Sequence, residues 1–249
     1  MPKHFFLSFL PWLALLFLWE LAGQSGALSA FVLPWPSLVL TAAWSHAATG
    51  ALFFDIAWSL VRVFGGFFLA VLLATPLGLL IGLSERASSI FEPAVHFLRP
   101  IPPVAWIPLA IVWFGLGNGP AFFLTFIAAF FPVIVSTAHG VRSIPAQHFQ
   151  VARCLEASRS LVFRRIVIPG ALPHILAGFR IGFGISWMAV VTAEMIAARS
   201  GLGHLIHVSQ DVLHTDLVVA GMLCIGLLGL LFDILLRGLA RRLTPWGPA

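Results

Sequence analysis

The sequence predicts an all-α, polytopic membrane protein of about six spans, on three observations. Sixty per cent of the 249 residues are apolar, only 9 % are charged, and the mean hydropathy is +1.01. A soluble domain carries roughly a quarter charged residues to cover itself with polar surface; here most side chains must face lipid or one another. The apolar residues also fall in runs of spanning length, since about 20 residues cross a hydrocarbon core of about 30 Å. Finally, the 14 Lys+Arg and 9 Asp+Glu, a net +5, sit largely in short segments between those runs. No exposed basic face is left for nucleic acid, so the cationic balance points to a membrane.

The first expected span is Phe5 to Ala22. Its rival is a signal peptide, because Ala27–Ser29 imitates a small-residue cleavage site; the length of the run, its aromatic residues and a basic flank of Lys3 alone favour an uncleaved helix. Gly23 to Phe54 is less apolar. Pro34-Trp35-Pro36 and a short amphipathic helix around Ser37–His46 suit a segment lying on the membrane, with Trp35 and Trp44 at the interface. The second span is Ile56 to Leu83, ended by Ser84-Glu85-Arg86. The third, Val104 to Leu116, is irregular because Pro100, Pro102, Pro103 and Pro108 crowd its start. A tight turn over Gly115–Pro120 leads to the fourth, Ala121 to Ala138. Ile175 to Ala198 and Leu217 to Leu236 complete the set.

An even number of spans puts both termini on one side. Lys3, Arg86, Arg99, Arg142, Arg153, Arg159, Arg164, Arg165, Arg237, Arg241 and Arg242 share that side, against Arg199 and Arg62 opposite, so both termini are expected in the cytoplasm.

Several chemistries are excluded or weakened. Lys3 is the only lysine, so the chain carries no P-loop. Cys154 and Cys224 form neither metal spacing nor a disulfide framework. His204, His207 and His214 share the last outer loop, where a solvated loop is the simpler reading than a metal site. Asp55 and Arg62 are expected at the outer end of the second span, solvated at the interface. Asp233 and Arg237, four apart, are expected to pair. Arg180 and Glu194 lie deeper, about 21 Å apart along one helix, so each needs another partner. No nucleophile–base pair marks an intramembrane enzyme. An ion-coupled secondary transporter is the alternative, with Glu194 its one deep carboxylate.

The polar stretch from His139 to Gly170 holds five of the fourteen basic residues without low complexity. Pro145 can open a helix over Ala146 to Ala157, on which Phe149, Ala152 and Leu155 form an apolar stripe. Ser158 can cap a second short helix that runs through Arg165 and is ended by Pro169. Two short helices of this kind make a docking surface.

This stretch resembles the cytoplasmic coupling loop of binding-protein-dependent ABC importer permeases, which reads Glu-Ala-Ala, three residues, Gly, nine residues, then Ile-x-Leu-Pro. Gln150-Val151-Ala152 takes the first place, Glu156 the Gly place and Ile166-Val167-Ile168-Pro169 the last. Ala152, Ile166 and Pro169 match; Gln150, Val151 and Glu156 depart, and Glu156 resists the bend that Gly permits. Leu98-Arg99-Pro100-Ile101-Pro102-Pro103-Val104-Ala105-Trp106-Ile107-Pro108-Leu109, Trp113–Gly117, Phe163–Pro173 and Ala193-Glu194-Met195-Ile196 resemble the nitrate/sulfonate/taurine/bicarbonate branch.

The resemblance implies a type I ABC importer permease fold in a bacterial inner membrane. It divides 1–249, a single permease domain, into a first span and outer loop (1–55), a core (56–240) and, within that, a coupling loop (142–170). Gln150, Ala152, Glu156, Ala157, Ser158, Ile166 and Pro169 are then the coupling residues, while Arg180, Trp187 and Glu194 are candidates for the translocation pathway. No cofactor or metal is expected in this chain, because ATP and Mg are bound by a separate ATP-hydrolysing subunit dimer. The other implied partners are a second permease subunit, most simply a second copy of this chain, an extracytoplasmic substrate-binding protein and lipid.

Overall fold

The computed structural model describes residues 2–26 and 29–246, with the side chains of 2–10 and 12 excepted. The described residues are almost wholly helical: α1 (Pro2–Gln24), α2 (Pro36–Ala48), α3 (Ala51–Leu83), α4 (Glu85–Leu98), α5 (Ile107–Phe114), α6 (Asn118–Arg142), α7 (Ala146–Cys154), α8 (Arg159–Val162), α9 (Ile168–Ala197), α10 (Leu202–Asp211) and α11 (Thr215–Leu243). A 3-10 turn (Pro103–Trp106) precedes α5, and a π turn (Phe163–Val167) joins α8 to α9.

Three long helices form the centre, and glycine sets their spacing. Gly66 lies against Phe122 and Thr125, Gly78 against Ile134 and Thr137, and Gly82 against Val141. The numbers rise together, so α3 and α6 run parallel. Without a hydrophobic force to join helices in lipid, close backbone approach over small residues does that work. Helix α9 is antiparallel to α6: Gly178 meets Ser136, Gly182 meets Ala129, and the Ser186 hydroxyl donates to the Thr125 carbonyl at 2.8 Å. Helix α11 returns along α9, with Trp187 Nε1 donating to the Ile225 carbonyl at 3.1 Å. Phe64, Phe67, Phe183, Trp187 and Phe232 fill the seam, with Phe67 and Phe183 edge to face at 5.3 Å between centroids.

Four of these helices (α3, the α8–α9 run from Arg159 to Ala197, α6 and α11) are long and apolar enough to cross a membrane, and a bent pair makes up to five. The pair corrects the expectation of a third span over Val104–Leu116. Because α3 and α6 are parallel, residues 84–117 must travel back along the bundle. They do so through α4 and then the 3-10 turn and α5, with an 89° bend between. Eight residues of α5 rise only about 12 Å, too little to cross alone. Helix α4 is a second departure from the sequence reading, which stopped at Ser84-Glu85-Arg86. Ser84 is an N-cap whose hydroxyl accepts from Ala87 N–H at 3.3 Å, and Arg142 ties α4 down through Glu92 at 2.6 Å.

Helix α1 covers the first expected span, with Leu13–Gln24 its described apolar part. The imitation cleavage site at Ala27 and Leu28 lies outside the described residues. The expected surface helix is α2, with Trp44 exposed. The last outer loop is largely the helix α10, which carries His204 and His207; no group of metal-binding side chains occurs among the described residues.

Candidate functional site

Two groups of polar residues stand at opposite ends of the bundle. At the end formed by the termini of α6 and α11 and the start of α9 lies the 146–167 segment. Helix α7 stops in a Schellman turn: Glu156 N–H donates to the Arg153 carbonyl at 3.0 Å, and Ala157 N–H donates to the Ala152 carbonyl at 2.9 Å. The turn requires a left-handed residue just past the helix, and Glu156 occupies it at φ 49°. Position 156 is therefore bent as a Gly would be, with a side chain that makes the bend unfavourable by about 1 kcal/mol. Glu156→Gly is expected to slow hydrogen exchange of the Glu156 and Ala157 amides by about fivefold, the equivalent of that relief. Unchanged or faster exchange would show that Glu156 is held there by something other than the turn.

Ser158 caps α8, its hydroxyl accepting from Leu161 N–H at 3.3 Å. Pro169, however, does not end that helix. The chain passes through the π turn into α9, where Pro169 stands at the second position and its missing N–H is no loss. Ile166, in the π turn, is half-buried. The stripe of Phe149, Ala152 and Leu155 divides: Phe149 packs on the core, Ala152 is buried, and Leu155, past the last helical residue, is 75 % exposed. Leu155, Val151 and Leu161 instead line a cavity of about 290 Å³ with Ala152, Ala157 and Ile166 at its base. Arg165 and His148 also line it, and Arg153, Arg159 and Arg164 of the same segment are exposed, as is Gln150.

At the other end, a guanidinium and a carboxylate are sealed in the core. Arg62 of α3 is 1 % exposed and Glu194 of α9 0 %, and Arg62 Nη1 lies 2.7 Å from Glu194 Oε1. All five guanidinium donors are used. Nη1 also donates to the Ser200 carbonyl at 2.6 Å and Nη2 to the Ser200 hydroxyl at 2.7 Å, while Nε and Nη2 reach Asn118 Oδ1 at 3.0 and 2.7 Å. Glu194 Oε2 accepts from the Ser59 hydroxyl at 2.8 Å and from Gly203 N–H at 3.0 Å. Trp58 lies 5.4 Å from the guanidinium, a cation–π distance. A carboxylate that replaces water with these donors is tolerable in a dry core, where an unpaired one is not.

The network binds α3, the start of α6, α9 and the α9–α10 turn. Asp55 Oδ1 accepts from Gly201 N–H at 2.8 Å, and a Cβ at Gly201 would collide with the Glu194 carboxylate. These contacts correct the expectation that Asp55 and Arg62 are solvated at an interface: Arg62 is buried, and Asp55 is bonded to the turn. They also supply the partner Glu194 needs.

Trp187 is buried at 5 % exposure and bonded to α11, and Glu194 is enclosed by the network. Arg180, 44 % exposed, pairs through Nε with Asp233 Oδ1 at 2.5 Å. The expected Asp233–Arg237 pair is present at 2.6 Å, so one carboxylate serves two arginines. No signal in the sequence alone joins Arg62 to Glu194, which are 132 residues apart.

Residues 74–245 match the family described as the binding-protein-dependent transport system inner membrane component. The chain belongs to that family and is the membrane-spanning permease component of an ABC transporter. It is 38 % identical over 237 residues to the taurine transport system permease protein of Escherichia coli K12, covering 93 % of this chain and 86 % of that one. With a putative aliphatic sulfonates transport permease protein of the same organism it shares 36 % identity over 250 residues, covering 99 % and 95 %. A chain from the MetNI methionine ABC transporter superposes with a TM-score of 0.70 at 16 % identity, over 80 % of this chain and 98 % of its own, a likeness of fold.

Proposed function

We propose that the chain, acting as one permease unit over 1–249, admits a small anion of the sulfonate class through an inner membrane. A binding protein delivers the solute on the outer side, and a separate dimeric subunit holds ATP and Mg and supplies the energy. The relatives named for taurine and aliphatic sulfonates support the substrate class. The excess of arginine around the 146–167 segment and the last turns of α11 supports placing that end, and both termini, in the cytoplasm. Exposed Ile181 and Met188 on α9, whose opposite face is the most sealed part of the core, support a second copy of the chain beside it.

The observation that carries the reading is the face built by α7 and α8. Val151, Leu155 and Leu161 are exposed at 58, 75 and 50 %, with His148 and Arg165 at the margin and Ile166 of the π turn in the same lining. An exposed apolar centre with a polar margin is the anatomy of a protein contact. The coupling contact is then made by Val151, Leu155 and Leu161 directly. Gln150, Ala152, Glu156, Ala157, Ser158, Ile166 and Pro169 hold its shape or border it.

The test is Val151→Asp with Leu155→Asp. Both side chains are exposed, so thermal stability in detergent should move little. Co-purification of the ATP-hydrolysing subunit, expected of the wild type as a complex of two permease and two ATPase chains, should be lost, and uptake with it. Wild-type co-purification and uptake of a sulfonate by the double variant would overturn the assignment of this face.

A further inference from the structure

We propose that the groove between the cytoplasmic ends of α9 and α11 is a binding site for the phosphodiester of an anionic phospholipid. The groove has a volume of about 950 Å³, within the usual range for a small-molecule site. Arg180 and His174 line it from α9; Arg237, Arg241, Thr244 and Trp246 line it from α11 and the residues that follow. Three guanidinium groups thus face one space. Asp233 bonds Arg180 and Arg237, and Arg241 makes no ion pair among the described residues. Three positive charges against one negative leave the groove cationic.

Depth decides what can balance that charge. Helix α11 has 29 residues, about 43 Å of length, which matches a bilayer with its headgroups. Arg241 then lies in the headgroup layer. Arg237, six residues before the helix end, lies about 9 Å inward, at the edge of the hydrocarbon. Asp233 balances only one of Arg180 and Arg237, so one positive charge is left over, and a basic pocket between spanning helices on this side is the arrangement that holds anionic headgroups. The surroundings suit the rest of a lipid. Leu176 and Ala177 of α9 and Ala240 of α11 belong to the lining and offer apolar contact for acyl chains. Trp246, 61 % exposed at the mouth, is a residue type that settles at the interface.

A soluble phosphate would satisfy the same arginines, so the experiment separates the two sources. The purified full-length chain is released from detergent micelles in native mass spectrometry after equilibration with phosphatidylglycerol or phosphatidylcholine of the same acyl chains. Phosphatidylglycerol should be retained at least about fivefold over phosphatidylcholine, and Arg241→Gln should reduce its retention by about fivefold. Arg159→Gln, outside the groove, should leave it unchanged. Arg241 is exposed and has no ion-pair partner to abandon, so its variant should keep the wild-type melting temperature. Equal retention of the two lipids, or of phosphatidylglycerol by Arg241→Gln, would overturn the proposal. Displacement of phosphatidylglycerol by millimolar inorganic phosphate would assign the groove to a soluble anion instead.

Discussion

Arg62→Met is expected to destabilise the protein by about 3–5 kcal/mol, because it leaves Glu194 charged and unpaired in a dry core. For a chain of this length that lowers the melting temperature by roughly 10 °C, readable from tryptophan fluorescence in detergent. Adding Glu194→Met should recover part of the loss, since the second change removes the stranded charge. Recovery should stay incomplete, because Asn118, Ser200 and Gly203 N–H lose their partners as well. A single variant that melts with the wild type would show that the pair contributes nothing to cohesion. A double variant no better than the single one would show that the hydrogen-bonded frame, not the charge, carries the effect.

Gly66→Leu should be the most damaging substitution of a small residue. Even the first carbon of a side chain there would overlap Thr125 Oγ1 and lie 2.7 Å from the Phe122 carbonyl. That oxygen is backbone, so α3 and α6 would have to part. Thr125 Oγ1 also donates within α6 and lies 3.3 Å from the Arg62 carbonyl, so parting strains the arginine's own turn. Overpacking of this kind costs about 1–3 kcal/mol and at times more. The expected outcome is failure to recover monodisperse protein from detergent, with Gly66→Ala an intermediate case still folded but with a lower melting temperature. Gly226→Leu is the control, because nothing lies within 4 Å of a Cβ there. Equal behaviour of the Gly66→Leu and Gly226→Leu variants would refute a glycine-set crossing.

Long apolar runs are legible because lipid demands them of every spanning helix, whatever its neighbours. Hence α3, α6, α9 and α11 were all expected, each with ends within about seven residues of those found. The 146–167 segment was legible too, because a polar, arginine-rich stretch between two such runs has nowhere to be but outside the hydrocarbon. What escaped is what depends on contact. Helix α4 is short and amphipathic, and only the anchoring of Glu92 by Arg142 and its bend against α5 define its role. The passage of Pro169 into α9 required a π turn that no local propensity announces. Arg62 and Glu194 each read as an isolated charge, and their meeting follows from the parallel packing of α3 and α6, with α9 laid against both. Leu155 belonged to a helical stripe by spacing, yet the chain turns just before it.

The Schellman turn, the π turn and the sealed ion pair together make α9 a lever. Pro169 and Glu194 stand 25 residues apart, about 38 Å along one helix. One arm ends on the face proposed to meet the ATP-hydrolysing subunit. The far end is clamped to α3, α6 and α10, where motion would break several buried bonds at once. Ala171 and Ile175 of that arm pack against Val141 of α6, so a rocking of about 5° about the clamp would carry the arm and the end of α6 together through about 3 Å, on the scale of the helix shifts by which packed proteins switch state. In the proposed orientation the fulcrum sits on the side of the solute's arrival, and the stroke is largest on the side where energy is supplied.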